Sequence, residues 1–107
     1  MYGKGRDSID STARNRRVTG FKLRFRDRDV ELVDGQFVIG RAASCQISLD
    51  DPMVSRNHAT LLVEGRRVVL EDLGSRNGVS VNGQRVMGSR QLEAGDQITV
   101  GSQQLQV

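Results

Sequence analysis

The tripeptide Ser-Arg-Asn occurs twice in this chain, as Ser55-Arg56-Asn57 in "VSRNHATLL" and as Ser75-Arg76-Asn77 in "GSRNGVSVNG". His58, the only histidine, follows Ser55 by three residues, and Asp50 and Asp51 come just before. Serine, histidine and acid at short spacing raise nucleophilic catalysis, in which an oriented imidazole takes the hydroxyl proton. That chemistry needs a strained elbow that exposes the serine, usually G-x-S-x-G between a strand and a helix. Neither the glycines nor a helical pattern surrounds Ser55. His58 therefore reads as a buried, hydrogen-bonded element of the fold, and the chain as non-enzymatic. The doubled tripeptide is not a repeat either, because "SRNHATLLVEG" and "SRNGVSVNGQR" diverge after the third residue.

Anion recognition fits the same residues better. A third segment, "VIGRAASC", puts Gly40-Arg41 straight after an apolar run. Gly40 would let the backbone turn sharply, so that the Arg41 guanidinium projects from the edge of a sheet. Arginine presents a planar fork of donors that matches phosphate oxygens, serine hydroxyls donate to the same oxygens, and asparagine both donates and accepts along a peptide backbone. Three such loops at one end of a rigid scaffold would make a compact site for an anion and its attached peptide. Taken singly, Arg41 could instead pair with a surface acid, and Ser55 could close a turn through its hydroxyl.

The elements that must position these loops are short strands. "FKLRFR" alternates apolar and charged residues at Phe21, Leu23 and Phe25. Val30 and Leu32 continue the pattern, a turn follows at Asp34-Gly35, and Phe37, Val38 and Ile39 form the next extended piece. Further strands are expected at residues 45–49, 58–63, 67–72, 79–81, 84–86, 97–100 and 103–107. Asn82-Gly83 between two of them is a strong hairpin signal, since both residues tolerate positive φ. No window holds the apolar spacing of a helix over three turns. The expected fold is all-β, a sandwich of two antiparallel sheets with about eleven short strands.

The segments "FVIGR", "ISLDDPMVSRNHATL", "LEDLGSRNGVSVNGQRV" and "LEAGDQITVG", in this order and spacing, resemble a forkhead-associated domain across residues 20–107. Domains of that family are eleven-stranded sandwiches that bind phosphothreonine peptides. The resemblance implies that Arg41 meets the phosphate, Ser55 hydrogen-bonds it through the hydroxyl, and Arg56 adds a phosphate contact. Asn77 would hold the main chain of the ligand, with Arg76 beside it and Asn57 also facing the peptide. Asn57 stands where some relatives carry a second basic residue, a departure that bears on phosphate affinity. His58 would be architectural, packed under the Ser55 loop, and Gly40, Gly78, Asn82 and Gly83 would shape turns. The implied partner is a threonine-phosphorylated protein, with a Ser/Thr kinase upstream and no cofactor or metal. Arg56 and Arg76 suggest acidic ligand positions after the phosphothreonine. The alternative is the same fold used as a phospho-independent assembly module.

Charge is unevenly placed. Residues 1–19 hold five cations and two acids, leaving eleven of the 16 cations and eleven of the 13 acids in the remainder. The body is thus neutral, which argues against a nucleic-acid surface except through the basic arm. Poor in apolar residues, that arm reads as flexible, and Thr12 and Thr19 within it are possible phosphorylation sites. In some bacterial relatives a phosphorylated tail folds back on its own domain, although from acidic rather than basic surroundings. The 107 residues suit one domain. No apolar run is long enough to span a bilayer, and "MYGKGRDSID" lacks the apolar segment of a secretory signal. With Cys45 as the only cysteine, a reducing, cytoplasmic setting is expected.

Overall fold

Eleven strands and no helix make up the described part of the chain, residues 18–107 of a computed structural model. The reading of residues 1–17 as a basic arm, and of Thr12 as a phosphorylation site, lies outside it. In chain order the strands are β1 (Val18–Phe25), β2 (Arg28–Val33), β3 (Gly35–Gly40), β4 (Ile47–Ser48), β5 (Ala59–Glu64) and β6 (Arg67–Asp72). They continue with β7 (Val79–Val81), β8 (Gln84–Arg85), β9 (Ser89–Leu92), β10 (Gln97–Val100) and β11 (Gln103–Gln106). A six-stranded sheet, ordered β2-β1-β11-β10-β7-β8, faces a five-stranded sheet, ordered β4-β3-β5-β6-β9.

The two-residue period sorts side chains as expected. Along β1, Leu23 and Phe25 are buried while Lys22 and Arg24 are exposed. Leu61, Leu70, Val81, Ile98 and Leu105 reach the same interior from five other strands, each at most 1% exposed. Burying such a side chain contributes about 1.5–3 kcal/mol, so the core holds the sandwich shut without help from a helix.

Several boundaries differ from those read in the sequence. Strand β1 starts at Val18, so Thr19 lies in a strand by its backbone rather than in an arm. The expected turn at Asp34-Gly35 is a corner between the sheets. It carries the chain from β2 in one sheet to β3 in the other, and Gly35 has φ 139, a value suited to glycine. The sheets are not wholly antiparallel, because β3 and β4 run parallel, with Ile39 opposite Ile47. Residues 41–46 loop out and return in the same direction, and the Gln46 side-chain carbonyl accepts the Val38 N–H at 2.8 Å where β4 is too short to do so. Strand β9 shows no alternation, since Leu92 is the one apolar residue of "SRQL"; its pairing to β6 makes it a strand.

Candidate functional site: an arginine-lined cleft between three loops

The parallel excursion after β3 (residues 41–46), the β4–β5 connection (residues 49–58) and the β6–β7 connection (residues 73–78) meet at one end of the sandwich. Backbone hydrogen bonds join the first two: Arg41 N–H donates to Ser55 O at 3.0 Å, and Ala42 N–H to Arg56 O at 3.1 Å. Gly40 makes this possible, for a reason other than a turn. It lies within β3 without a positive φ, and a Cβ there would collide with the Arg56 carbonyl oxygen. Its missing side chain is the space through which the second loop approaches.

His58 ties the second loop to the third. Fully buried, it accepts the Ser55 backbone N–H on Nδ1 at 3.0 Å, and its Nε2 lies 2.7 Å from Gly78 O. Since an N–H must donate to Nδ1, the ring proton sits on Nε2 and is donated to the Gly78 carbonyl. The lone pair that a hydrolase would use as a base is thus occupied by the Ser55 main chain. The serine hydroxyl is engaged elsewhere, accepting Arg76 N–H at 3.1 Å. Gly78 has φ 74, and the Arg85 guanidinium lies over it where a Cβ would stand. Asn82 and Gly83, at φ 52 and 82, form the expected β7–β8 hairpin turn. Asn82 also accepts Gln97 N–H at 3.0 Å, fastening the turn to β10.

What these loops enclose is a cleft of about 320 Å³ lined by Arg41, Pro52, Met53, Val54, Ser55, Arg56, Arg76 and Asn77. Arg41 donates through Nε to Val54 O at 3.0 Å, which fixes the plane of its fork. Asn77 donates through Nδ2 to Met53 O at 2.7 Å. None of Arg41, Arg56 and Arg76 forms an ion pair with another described residue. Three cations therefore line one cleft with no ion-paired acid among the described residues to balance them. That is the electrostatic signature of an anion site.

The two Ser-Arg-Asn copies divide their duties. Ser55, Arg56, Arg76 and Asn77 line the cleft. Ser75 instead donates its hydroxyl to Asp72 at 2.6 Å and accepts Gly78 N–H at 2.9 Å, building the third loop. Asn57 is not brought into the cleft: its side-chain oxygen lies 3.7 Å from Cys45 Sγ, within hydrogen-bonding range for sulfur.

Asp51 was readable only as a potential orienting acid, yet it anchors the cleft floor. It is 4% exposed, and one carboxylate oxygen accepts Met53 N–H at 2.9 Å. The other faces the Ser102 hydroxyl, Ser102 N–H at 3.1 Å and Gln103 Nε2 at 3.3 Å. The hydrogen bond from the Ser102 hydroxyl, then that from Met53 N–H, holds the Asp51 carboxyl down to about 2, against the opposing effect of burial. A depressed folded-state value stabilises the fold above the unfolded value near 4 and loses that contribution as pH falls toward 2. The thermal midpoint should thus fall between about pH 4 and pH 2, and an Asp51→Asn variant, less stable at neutral pH, should show a flatter profile over that window. Calorimetry of both proteins from pH 6 to pH 2 checks this.

Comparison with known proteins agrees with this geometry. The FHA domain family model matches residues 37–101. FHA domain-containing protein FhaA of Mycobacterium tuberculosis is 38% identical over 78 residues, covering 73% of this chain and 15% of FhaA. The glycogen accumulation regulator GarA of Mycolicibacterium smegmatis is 42% identical over 62 residues, 58% of this chain and 39% of GarA. The chain thus spans a small part of the relatives it matches. Among solved structures, the FhaA FHA domain complexed with the intracellular domain of Rv3910 aligns with TM-score 0.75 at 35% identity, covering 79% of this chain and 96% of that one. Mycobacterium tuberculosis EmbR in complex with a low-affinity phosphopeptide aligns with TM-score 0.75 at 32% identity, over 79% of this chain and 23% of EmbR.

Proposed function

The chain belongs to the FHA domain family, and from that premise we propose that its three-loop cleft binds a phosphothreonine segment of a partner protein. The observation that carries the reading is the convergence of Arg41, Ser55, Arg56, Arg76 and Asn77 on one cleft, with its cations unpaired among the described residues. A phosphothreonine brings a charge of about −1.5 to −2 and three acceptor oxygens. The outer nitrogens of Arg41 and the hydroxyl proton of Ser55 are the donors aimed at them, since Arg41 Nε and the Ser55 oxygen lone pair are already engaged. Asn77 keeps its side-chain oxygen for a ligand N–H while Nδ2 is held by Met53 O. Arg56 and Arg76 favour acidic residues in the flanking peptide.

Two solved relatives support the ligand class. One aligned structure concerns phosphothreonine-dependent FHA domain interactions, and EmbR was solved with a phosphopeptide. The role here is recruitment without catalysis. A Ser/Thr kinase would supply the mark, and a cytoplasmic setting, where kinases have ATP, fits that role.

Titration with matched phosphothreonine, phosphoserine and unmodified peptides, with acidic and neutral flanks, tests the reading. Hydrogen bonds to charged groups contribute about 1.5–3 kcal/mol each, so the phosphothreonine peptide should bind on the order of a hundredfold more tightly than the unmodified one. Equal affinity for both would move the function to a phospho-independent contact.

A further inference from the structure

Arg41 and Asn77 are aimed by two neighbouring carbonyls, Val54 O and Met53 O, so their orientation is only as firm as the Met53–Val54 backbone. That backbone is tied to the β10–β11 turn, outside the three loops, through Asp51 of the second loop. Asp51 accepts Met53 N–H through one oxygen and, through the other, bonds Ser102 in the turn and Gln103 at the start of β11. Val54 N–H also donates to Asp51 O at 2.9 Å. The same turn presses on the floor directly: a Cβ on Gly101 would come within 2.8 Å of Val54 Cγ2 and 3.2 Å of Met53 Cβ. The turn lies at the far end of the sequence from Arg41 and is absent from the cleft lining.

We propose that Asp51 and Ser102 are positioning residues for ligand recognition, acting on Arg41 and Asn77 through the Met53–Val54 carbonyls. The proposal rests on the phosphopeptide reading for its binding arm only. Asp51 must be a carboxylate for this role. Both its oxygens face donors, so an amide at residue 51 turns one N–H toward another whichever way it is placed. Ser102 is exposed, which makes it the cleaner probe: its loss removes one hydroxyl donor without opening the core.

The test compares wild type, Ser102→Ala, Ser102→Thr and Asp51→Asn, each with and without the phosphothreonine peptide. One readout is the 15N-resolved signals of the Arg41 Nε–H and the Asn77 side-chain amide. The other is the affinity of the folded fraction. In Ser102→Ala these two side-chain signals should move toward exposed-arginine and exposed-amide positions while core amides hold theirs, and affinity should fall about threefold to tenfold, the range of one hydrogen bond. Ser102→Thr, which keeps the hydroxyl, should restore both, and Asp51→Asn should exceed Ser102→Ala. Unmoved Arg41 and Asn77 signals in Ser102→Ala would overturn the proposal, as would an affinity loss fully accounted for by unfolded protein. If wild type shows no preference for the phosphorylated peptide, the functional reading fails, while the ligand-free signals still decide whether the turn positions the two side chains.

Discussion

Replacing Arg41 with alanine should weaken binding of the phosphothreonine peptide about tenfold to a hundredfold, with the thermal midpoint almost unmoved. The two halves of this result come from different surroundings of one side chain. Arg41 is exposed and, among the described residues, makes a single side-chain bond to the fold, from Nε to Val54 O. Truncations at such surface positions usually change stability within about half a kcal/mol. The β3–β4 loop does not depend on the guanidinium, because Arg41 and Ala42 hold it through backbone N–H groups. The ligand, in contrast, loses a charge-assisted fork whose orientation is already set, so little entropy is recovered in exchange. Arg41→Lys separates charge from geometry. A lysine keeps the positive charge but has one nitrogen, which cannot hold Val54 O and also present a planar pair to phosphate. It should recover less than half of the lost binding free energy. Isothermal titration alongside thermal unfolding measures both effects. An alanine variant that unfolds early, or one that binds as wild type does, would remove Arg41 from the site.

Much of this site was legible because its chemistry is local. Arg41 follows a strand, Ser55 and Asn77 sit in polar loops, and Asn82-Gly83 announces its turn by residue type alone. What stayed hidden depends on contacts distant in sequence. Gly40 suggests a flexible turn until Arg56 is seen against it, since crowding by another segment leaves no local mark. Two identical tripeptides look equivalent, yet Asp72 claims Ser75 for the loop while Ser55 reaches the cleft. Asn57 is turned toward Cys45, a neighbour twelve residues back. Asp51 beside Asp50 carries no sign of which acid is buried, and the partners of one of its two carboxylate oxygens stand about fifty residues downstream. Among the strands, β9 escaped notice for a related reason. An edge strand with one buried side chain is defined by its neighbour's ladder, and pattern alone cannot show it.

Ser102 and Asp51 tune the cleft, but His58 should matter most to the fold. His58→Ala is expected to cost about 3–5 kcal/mol, a large share of the roughly 5–15 kcal/mol by which such domains are stable. Two penalties add. The fully buried ring leaves a void, and the Ser55 N–H and Gly78 carbonyl lose a partner that water replaces poorly, at about 1–3 kcal/mol for each group left unsatisfied. At roughly 4–8 °C per kcal/mol for a domain of this size, the thermal midpoint should drop by more than about 10 °C. Substitutions can apportion the loss. His58→Phe fills the void yet satisfies neither polar group, so it should stay close to alanine if hydrogen bonding dominates. His58→Asn offers an oxygen near the Nδ1 position, which can accept Ser55 N–H but cannot reach Gly78 O, and should recover part of the stability. Its affinity for the phosphothreonine peptide should nevertheless stay low even in the folded fraction. Ser55 would then be held in the second loop while Gly78 is released from it, and the Arg76-Asn77 pair next to Gly78 would lose its fixed distance from Arg41. A phenylalanine variant as stable as wild type would show that His58 fills space and nothing more. The coupling of the second and third loops would then rest on Leu73 N–H to His58 O, Arg76 N–H to Ser55 Oγ and Asn77 Nδ2 to Met53 O.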